Sequence, residues 1–391
     1  MNNSAMSNDQ PENDIWHLLI GHWDFLTSLY RRRPLTSKSE EPFFNSGDLW
    51  YNVAMDEQTQ TKLGVIDSLS LGFRMVVRRP WLLLLPVLLD LVLWFGPRIS
   101  IQPLVDSFLP LMQMPTAMPE DMQQMAALSR EMLEQIGEHW NPLSLLARGV
   151  VNLPSFIANQ VTQVSAGHPP AAMKVGSFAA ALGSGLLIGL TGTLLGGLYL
   201  TLIAGQLRRL QPEKVDQTYE ATAGRSFLHR LGLTWLRLIV LALLLLGGVL
   251  FFIVLASLLG GVLSLISPTF AFSSVSLLSL VAGSIVLWVG FILHFVTDAI
   301  VLDEVGVLQA IWRSLNIVWR NLWPTMGLIL LSYVIGAGFT FIWDRVASTI
   351  WGTAVGILGT AYIGAGLTAA GLAFYADRRQ LWQEAAAQHT A

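Results

Sequence analysis

Cysteine is absent from the chain, and lysine nearly so. The first absence removes disulfides, thiolate catalysis and cysteine-ligated metals in one step. With Lys38, Lys62, Lys174 and Lys214 as the only lysines, arginine carries almost all the positive charge, and its planar fork suits phosphate headgroups. Charge of either sign is also scarce. Only 13% of the 391 residues are Asp, Glu, Lys or Arg, and 53% are hydrophobic, whereas about a quarter of a soluble domain is charged. Lipid is therefore the expected solvent. No GxxxxGK[ST], HExxH or GxSxG pattern occurs, and no paired acids stand in an outer loop, so neither an enzymatic activity nor a cofactor is expected.

What is present is a series of apolar runs of about 20 residues, long enough to span a bilayer as helices. They cover 81–100, 177–207, 233–259, 276–300, 322–343 and 351–375. The basic residues cluster before the first run (Arg74, Arg78, Arg79), between the second and third (Arg208 to Arg230), between the fourth and fifth (Arg313, Arg320) and after the last (Arg378, Arg379). All fall on one side if there are six spans with both termini cytoplasmic. That placement suits anionic lipid and argues against nucleic acid. The expected organisation is a polar region 1–62 with an amphipathic helix near 15–30, a six-helix membrane domain over 63–376 with an outer helical loop near 101–175, and a cytoplasmic tail over 377–391.

The residues before the fifth span organise this reading. Over 305–322, Leu308, Ile311, Trp312, Leu315, Val318 and Trp319 recur on one helical face, with Gln309, Arg313, Asn316 and Arg320 opposite. That is the composition of an interfacial helix, indole at the headgroups and guanidinium toward phosphate. VVRRPW (76–81) and VWRNLW (318–323) share a pattern just before a span, and SFLHRLGLTWLR (226–237) is a looser version. The expected architecture is therefore an all-α integral membrane bundle of three hairpins, each preceded by an amphipathic surface helix. Arg78, Arg79, Trp81, Arg313, Trp319, Arg320 and Trp323 are the expected lipid contacts.

Candidate chemistry is sparse. Asp90 sits mid-span, where a carboxylate is costly and faces the bundle interior; Ser332, Tyr333 or Thr191 are its expected partners by depth. His294 and Asp298, four apart, form a second polar candidate near the basic end. Met112, Met114, Met118, Met122 and Met125 in the outer loop could bind Cu(I), although methionine is more often an adaptable packing residue. Residues 119–140 read as a helix and 143–161 as a second amphipathic stretch, both lying over the bundle as a cap. Gly185/Gly189, Gly192/Gly196 and Gly352/Gly356 have small-xxx-small spacing, which predicts close helix packing or self-association.

The passage AIVLDEVGVLQAIWRSLNIVWRNLWP resembles a loose group of bacterial polytopic membrane proteins akin to the membrane domain attached to some glycerophosphodiester phosphodiesterases. The shared pattern is an acidic turn (Asp303, Glu304, then Gly306), a surface helix with Ala310, Arg313 and Ser314, and a Trp/Pro lead into the next span. GFRMVVRRPWLLLLPVL is similar to their first span. The resemblance implies a bacterial cytoplasmic-membrane location and an architecture; the phosphodiesterase domain has no counterpart here, so no activity carries over. A membrane scaffold or accessory subunit binding lipid and a protein partner is the leading expectation, with a small-solute or lipid permease using Asp90 second and an outward-facing copper binder third.

Overall fold

A computed structural model describes residues 62–112, 120–160, 172–210 and 226–390. The amphipathic stretch expected near 15–30 lies outside them, as do Met114 and Met118. In chain order the described helices are α1 (Val65–Arg78), α2 (Leu84–Phe95), α3 (Gln102–Phe108), α4 (Glu120–His139), α5 (Phe178–Leu210), α6 (Phe227–Ser264), α7 (Pro268–Ile292), α8 (Val296–Leu302), α9 (Val307–Arg320), α10 (Leu322–Val346) and α11 (Ile350–Thr390). A 3-10 turn, Pro80–Leu83, leads into α2.

Among the described residues, five stretches are long and apolar enough to cross a membrane: α5, α6, Ser276–Leu302 (α7 with α8), α10 and α11. This is a multi-pass membrane protein. The first expected span is a shorter apolar helix, Pro80–Phe95, roughly 26 Å long by helical rise, slightly less than a hydrocarbon core of about 30 Å.

α1 and α9 are separate helices, each of 14 residues, and they are built alike. Gly64 and Gly306 open them in the same extended conformation. Arg79 and Asn321 close them with similar dihedrals, each sharing its N–H between the carbonyls three and four residues back. Every such pair is 242 positions apart in the sequence. The buried stripes match too: Ser68, Gly72, Met75 and Val76 in α1 correspond to Ala310, Ser314, Ile317 and Val318 in α9. The stretch 226–237 differs. It forms no separate surface helix but runs straight into α6, capped by Ser226, whose hydroxyl accepts from His229 N.

α1 lies along α11, and small residues permit the approach. A Cβ on Gly72 would stand 2.4 Å from Gly366 O and 2.6 Å from Ala370 N, so only glycine fits this crossing. Phe73 covers Gly366 and packs on Tyr362. The buried face of α9 is therefore not the Trp-bearing one. Leu308, Trp312 and Trp319 are exposed, while its small residues face the protein. The helix carries two apolar faces, one packed on the protein and one exposed.

The outer segment departs most from expectation. Strands β1 (Arg98–Ser100) and β2 (Ala172–Lys174) pair in parallel and draw its two ends together. α4 forms as the sequence predicts, packed beside α3 where Gly137 meets Val105 and Gln102. Its Leu128, Met132 and Ile136 are exposed and do not pack on the bundle. Residues 141–160 do not form an amphipathic helix lying over it. They make two short 3-10 turns, Pro142–Leu146 and Ile157–Asn159, with Ala147, Val151, Leu153, Phe156 and Ile157 buried. Proline at 142 and 154 and Gly149 disfavour a continuous helix. Irregular backbone at membrane depth is tolerated because protein surrounds it.

Candidate functional site

Two buried carboxylates organise the polar interior, and they lie in different regions of the bundle. Asp90, on α2, is fully buried. It accepts a hydrogen bond from the Ser155 hydroxyl, one from Phe156 N at 2.9 Å and one from Ile157 N at 3.1 Å. Ser155 Oγ in turn accepts from Ala158 N at 3.1 Å. The carboxylate thus caps the N-terminal end of a 3-10 turn whose donors have no partner within that turn. None of Ser332, Tyr333 and Thr191 supplies these bonds. Depth along separate spans could not reveal this, because the partners come from the outer segment folded back into the bundle.

The glycines support that same segment. A Cβ at Gly192 would meet Leu145 O at 2.8 Å, one at Gly196 Val151 at 2.7 Å, one at Gly356 Phe156 at 2.9 Å and one at Gly364 Pro154 at 2.3 Å. These residues make room for residues 145–156, not for a neighbouring span. Gly185 and Gly189 have nothing within 4 Å of a Cβ, and Gly352 sits in the first turn of α11, where a Cβ would meet Val346 O at the end of α10. Small-xxx-small spacing therefore marks close approach correctly at Gly192, Gly196 and Gly356 while mistaking the partner.

Asp303 is the second hub. It follows α8 as its C-cap, is buried, and receives the guanidinium groups of Arg313 from α9 and Arg379 from α11. Tyr375 donates its hydroxyl to the same carboxylate at 2.7 Å. Three helices converge on one side chain. Arg313, expected at the lipid interface, is instead drawn toward Asp303, while Arg78, Arg79, Trp81, Trp319, Arg320 and Trp323 are exposed. Arg378 and Arg379 are buried on the continuing α11 and do not belong to a free tail. Leu63 N donates to Asp377, and Arg378 donates to Leu63 O at 2.9 Å and lies over the Phe374 ring.

Glu304 follows at φ 53°, the left-handed region. That is the usual conformation just beyond a helix C-cap, where glycine is the ordinary occupant. Its carboxylate lies 3.8 Å from Arg208 and 3.7 Å from Arg230, both longer than a direct N–H···O bond. Arg208 donates to Val301 O and Leu302 O at 2.9 and 3.0 Å, satisfying carbonyls at the end of α8. Between α5, α6 and this turn is a cavity of about 630 Å³, with Arg208, Arg209, Arg230 and Glu304 as its charged lining and Trp81 and Phe227 among its aromatic walls.

The second polar candidate separates. Helix α7 ends at Ile292 and α8 begins at Val296, so His294 and Asp298 do not share a continuous face. His294 is exposed against the edge of Phe295, and Asp298 is buried. The break is held by Ser314 of α9, which donates to Ile292 O at 2.6 Å and accepts from Phe295 N at 3.2 Å. Ser314 occupies the position that Gly72 holds in α1. No group of three or more His, Asp or Glu able to hold a metal occurs among the described residues. Sequence reasoning named Asp303 only as part of an acidic turn. The nearby Arg313 was a usable signal; Arg379, 76 residues away, was not.

Residues 141–370 match the family described as Domain of unknown function (DUF7847). The chain belongs to that family. The matched stretch opens with the buried outer segment and includes Ser155 and Asp303, while Asp90, Tyr375 and Arg379 lie beyond its limits. No curated protein and no solved structure matches the chain.

Proposed function

We propose that the protein is a non-catalytic scaffold or accessory subunit of a bacterial cytoplasmic membrane, binding lipid and a protein partner, with its basic end and both termini in the cytoplasm. The observation that carries this reading is the use made of Asp90. A permease working through that carboxylate needs it open to a solute path. Here all three of its bonds are spent on the chain's own residues 155–157, and the cavity at the basic end is lined by other residues. Asp303 is similarly engaged, joining α8, α9 and α11. The exposed Trp312, Trp319 and Trp323 supply an amphipathic surface for the headgroup region. The resemblance to the membrane domain attached to glycerophosphodiester phosphodiesterases agrees with a helical platform that lends position to another activity. The arginine clusters support the orientation.

Native mass spectrometry after gentle extraction from the source membrane is the direct test. A second protein mass at fixed stoichiometry is expected. A lone chain that mediates solute flux in liposomes, with flux lost in a well-folded Asp90→Asn variant, would replace this reading with the permease.

A further inference from the structure

The match between α1 and α9 extends to their exposed faces and on into the helices that follow them. At the same offset of 242 positions, Arg78 corresponds to Arg320, Trp81 to Trp323, Leu88 to Leu330 and Val92 to Val334. The residue type is identical in each pair, and every one of these side chains is exposed. Packing inside the bundle accounts for repetition on the buried stripes. Repetition on the outside needs something beyond the protein that meets both faces alike. The order of the residues shows its chemistry. In α10, Trp323, Leu330 and Val334 share one face at spacings of seven and four. Leu330 and Val334 lie roughly 10 and 16 Å along the axis from Trp323, the depth of one leaflet's acyl chains, about 15 Å. Arg320 stands three residues before Trp323, in the last turn of α9. Guanidinium, indole and aliphatic side chains therefore follow one another as phosphate, glycerol ester and acyl chain do in a phospholipid. Both faces stand at one end of the bundle. Within five consecutive residues of α11, Asp377 and Arg378 hold Leu63 at the head of α1, while Tyr375 and Arg379 hold Asp303, which also takes Arg313 of α9. A Cβ on Gly327, in the second turn of α10, would lie 3.7 Å from Val65.

We propose that α1 with α2, and α9 with α10, are two equivalent sites for an anionic phospholipid, one lipid to each. Arg78 and Arg320 contact the phosphates, Trp81 and Trp323 sit at the ester level, and the exposed stripes of α2 and α10 run along the acyl chains. Arginine matches phosphate oxygens through two parallel N–H donors. An anionic headgroup leaves the guanidinium unopposed, whereas a choline headgroup sets a second cation beside it. The occupant belongs to the bilayer because each site is continuous with the exposed apolar face of a membrane helix. This deepens the lipid-binding part of the proposed function and rests on it.

The test uses the full-length protein, delipidated in detergent and titrated with phosphatidylglycerol or phosphatidylcholine, with retention read by native mass spectrometry. Two molecules of phosphatidylglycerol per chain are expected, each held about fivefold more tightly than phosphatidylcholine, the effect of one arginine at an anionic surface. Arg78→Gln and Arg320→Gln should each lose one of the two, and the double variant both. Because both side chains are exposed, the unfolding temperature of the lipid-free protein should not change. Arg209→Gln removes an exposed arginine from the last turn of α5, outside both sites, and should retain both lipids. Equal retention of the two lipids overturns the proposal. So does an Arg78→Gln or Arg320→Gln protein that still holds two, or an Arg209→Gln protein that loses one. A protein partner found together with any of those results would leave the scaffold reading intact. Two retained phosphatidylglycerol molecules on a chain without a partner would do the reverse.

Discussion

Asp90 and Glu304 are both carboxylates, and each is constrained by something other than chemistry on a substrate. Asp90 satisfies three donors while fully buried. Replacing it with alanine leaves two backbone N–H groups and a hydroxyl unpaired, so Asp90→Ala is expected to cost about 3 kcal/mol in chemical or thermal unfolding. Asp90→Asn should cost less, since one oxygen still accepts. Limited proteolysis should show the loss as new cleavage within 141–160. Unchanged stability in the alanine variant would contradict the capping role. Glu304 holds a backbone conformation that costs a side-chain-bearing residue roughly 1 kcal/mol, offset by Arg208 and Arg230 at 3.8 and 3.7 Å. Glycine and alanine at 304 both lose the carboxylate, but only glycine relieves the backbone. Glu304→Gly is therefore expected to be more stable than Glu304→Ala by about 1 kcal/mol in matched denaturation curves. An alanine variant equal to the glycine one would show that the turn does not keep its positive φ.

Elements meet here through glycine and serine. Gly72 and Ser314 occupy equivalent places in two helices of one design, and each faces the backbone of a neighbouring membrane helix: Gly72 touches Gly366 and Ala370, Ser314 stitches the break after Ile292. Substituting Gly72 with alanine forces α1 from α11, because backbone cannot yield as a flexible side chain can. Overpacking of this kind should cost about 1–3 kcal/mol. Gly185→Ala is the control: nothing lies within 4 Å, and the helix gains propensity. Heat stability measured on detergent-solubilised protein should fall for Gly72→Ala and hold or rise for Gly185→Ala. The small-xxx-small spacing singled out Gly185 and passed over Gly72. What separates them is the element on the other side. Spacing likewise placed the Trp stripe of α9 at the headgroups, and Trp312 and Trp319 are exposed, but it did not show the second, buried face of Ala310, Ser314 and Ile317.

Across the molecule, the buried ion pairs gather around Asp303 and Glu304, and the outer segment packs into the bundle around Asp90. The absence of cysteine makes the orientation directly measurable. Met132→Cys, on the exposed face of α4, is expected to react with a membrane-impermeant thiol reagent in intact cells, and Gln383→Cys, exposed on the last turns of α11, only after permeabilisation. The opposite labelling would invert the topology. Composition, the lengths of the apolar runs and the placement of arginine were enough to specify a helical membrane protein with its basic residues near the ends of spans, because these are local properties of the chain read against the thickness and charge of a bilayer. Which polar groups would meet was decided only in three dimensions. Asp90 finds Ser155 and Asp303 finds Arg379 across 65 and 76 residues, and no periodicity encodes such pairs. The outer segment was read as a surface cap because its prolines and apolar residues fit either a surface or an interior. Burial between α2, α5 and α11 was chosen by the space the glycines of α5 and α11 leave and by Asp90 of α2, which accepts from its backbone.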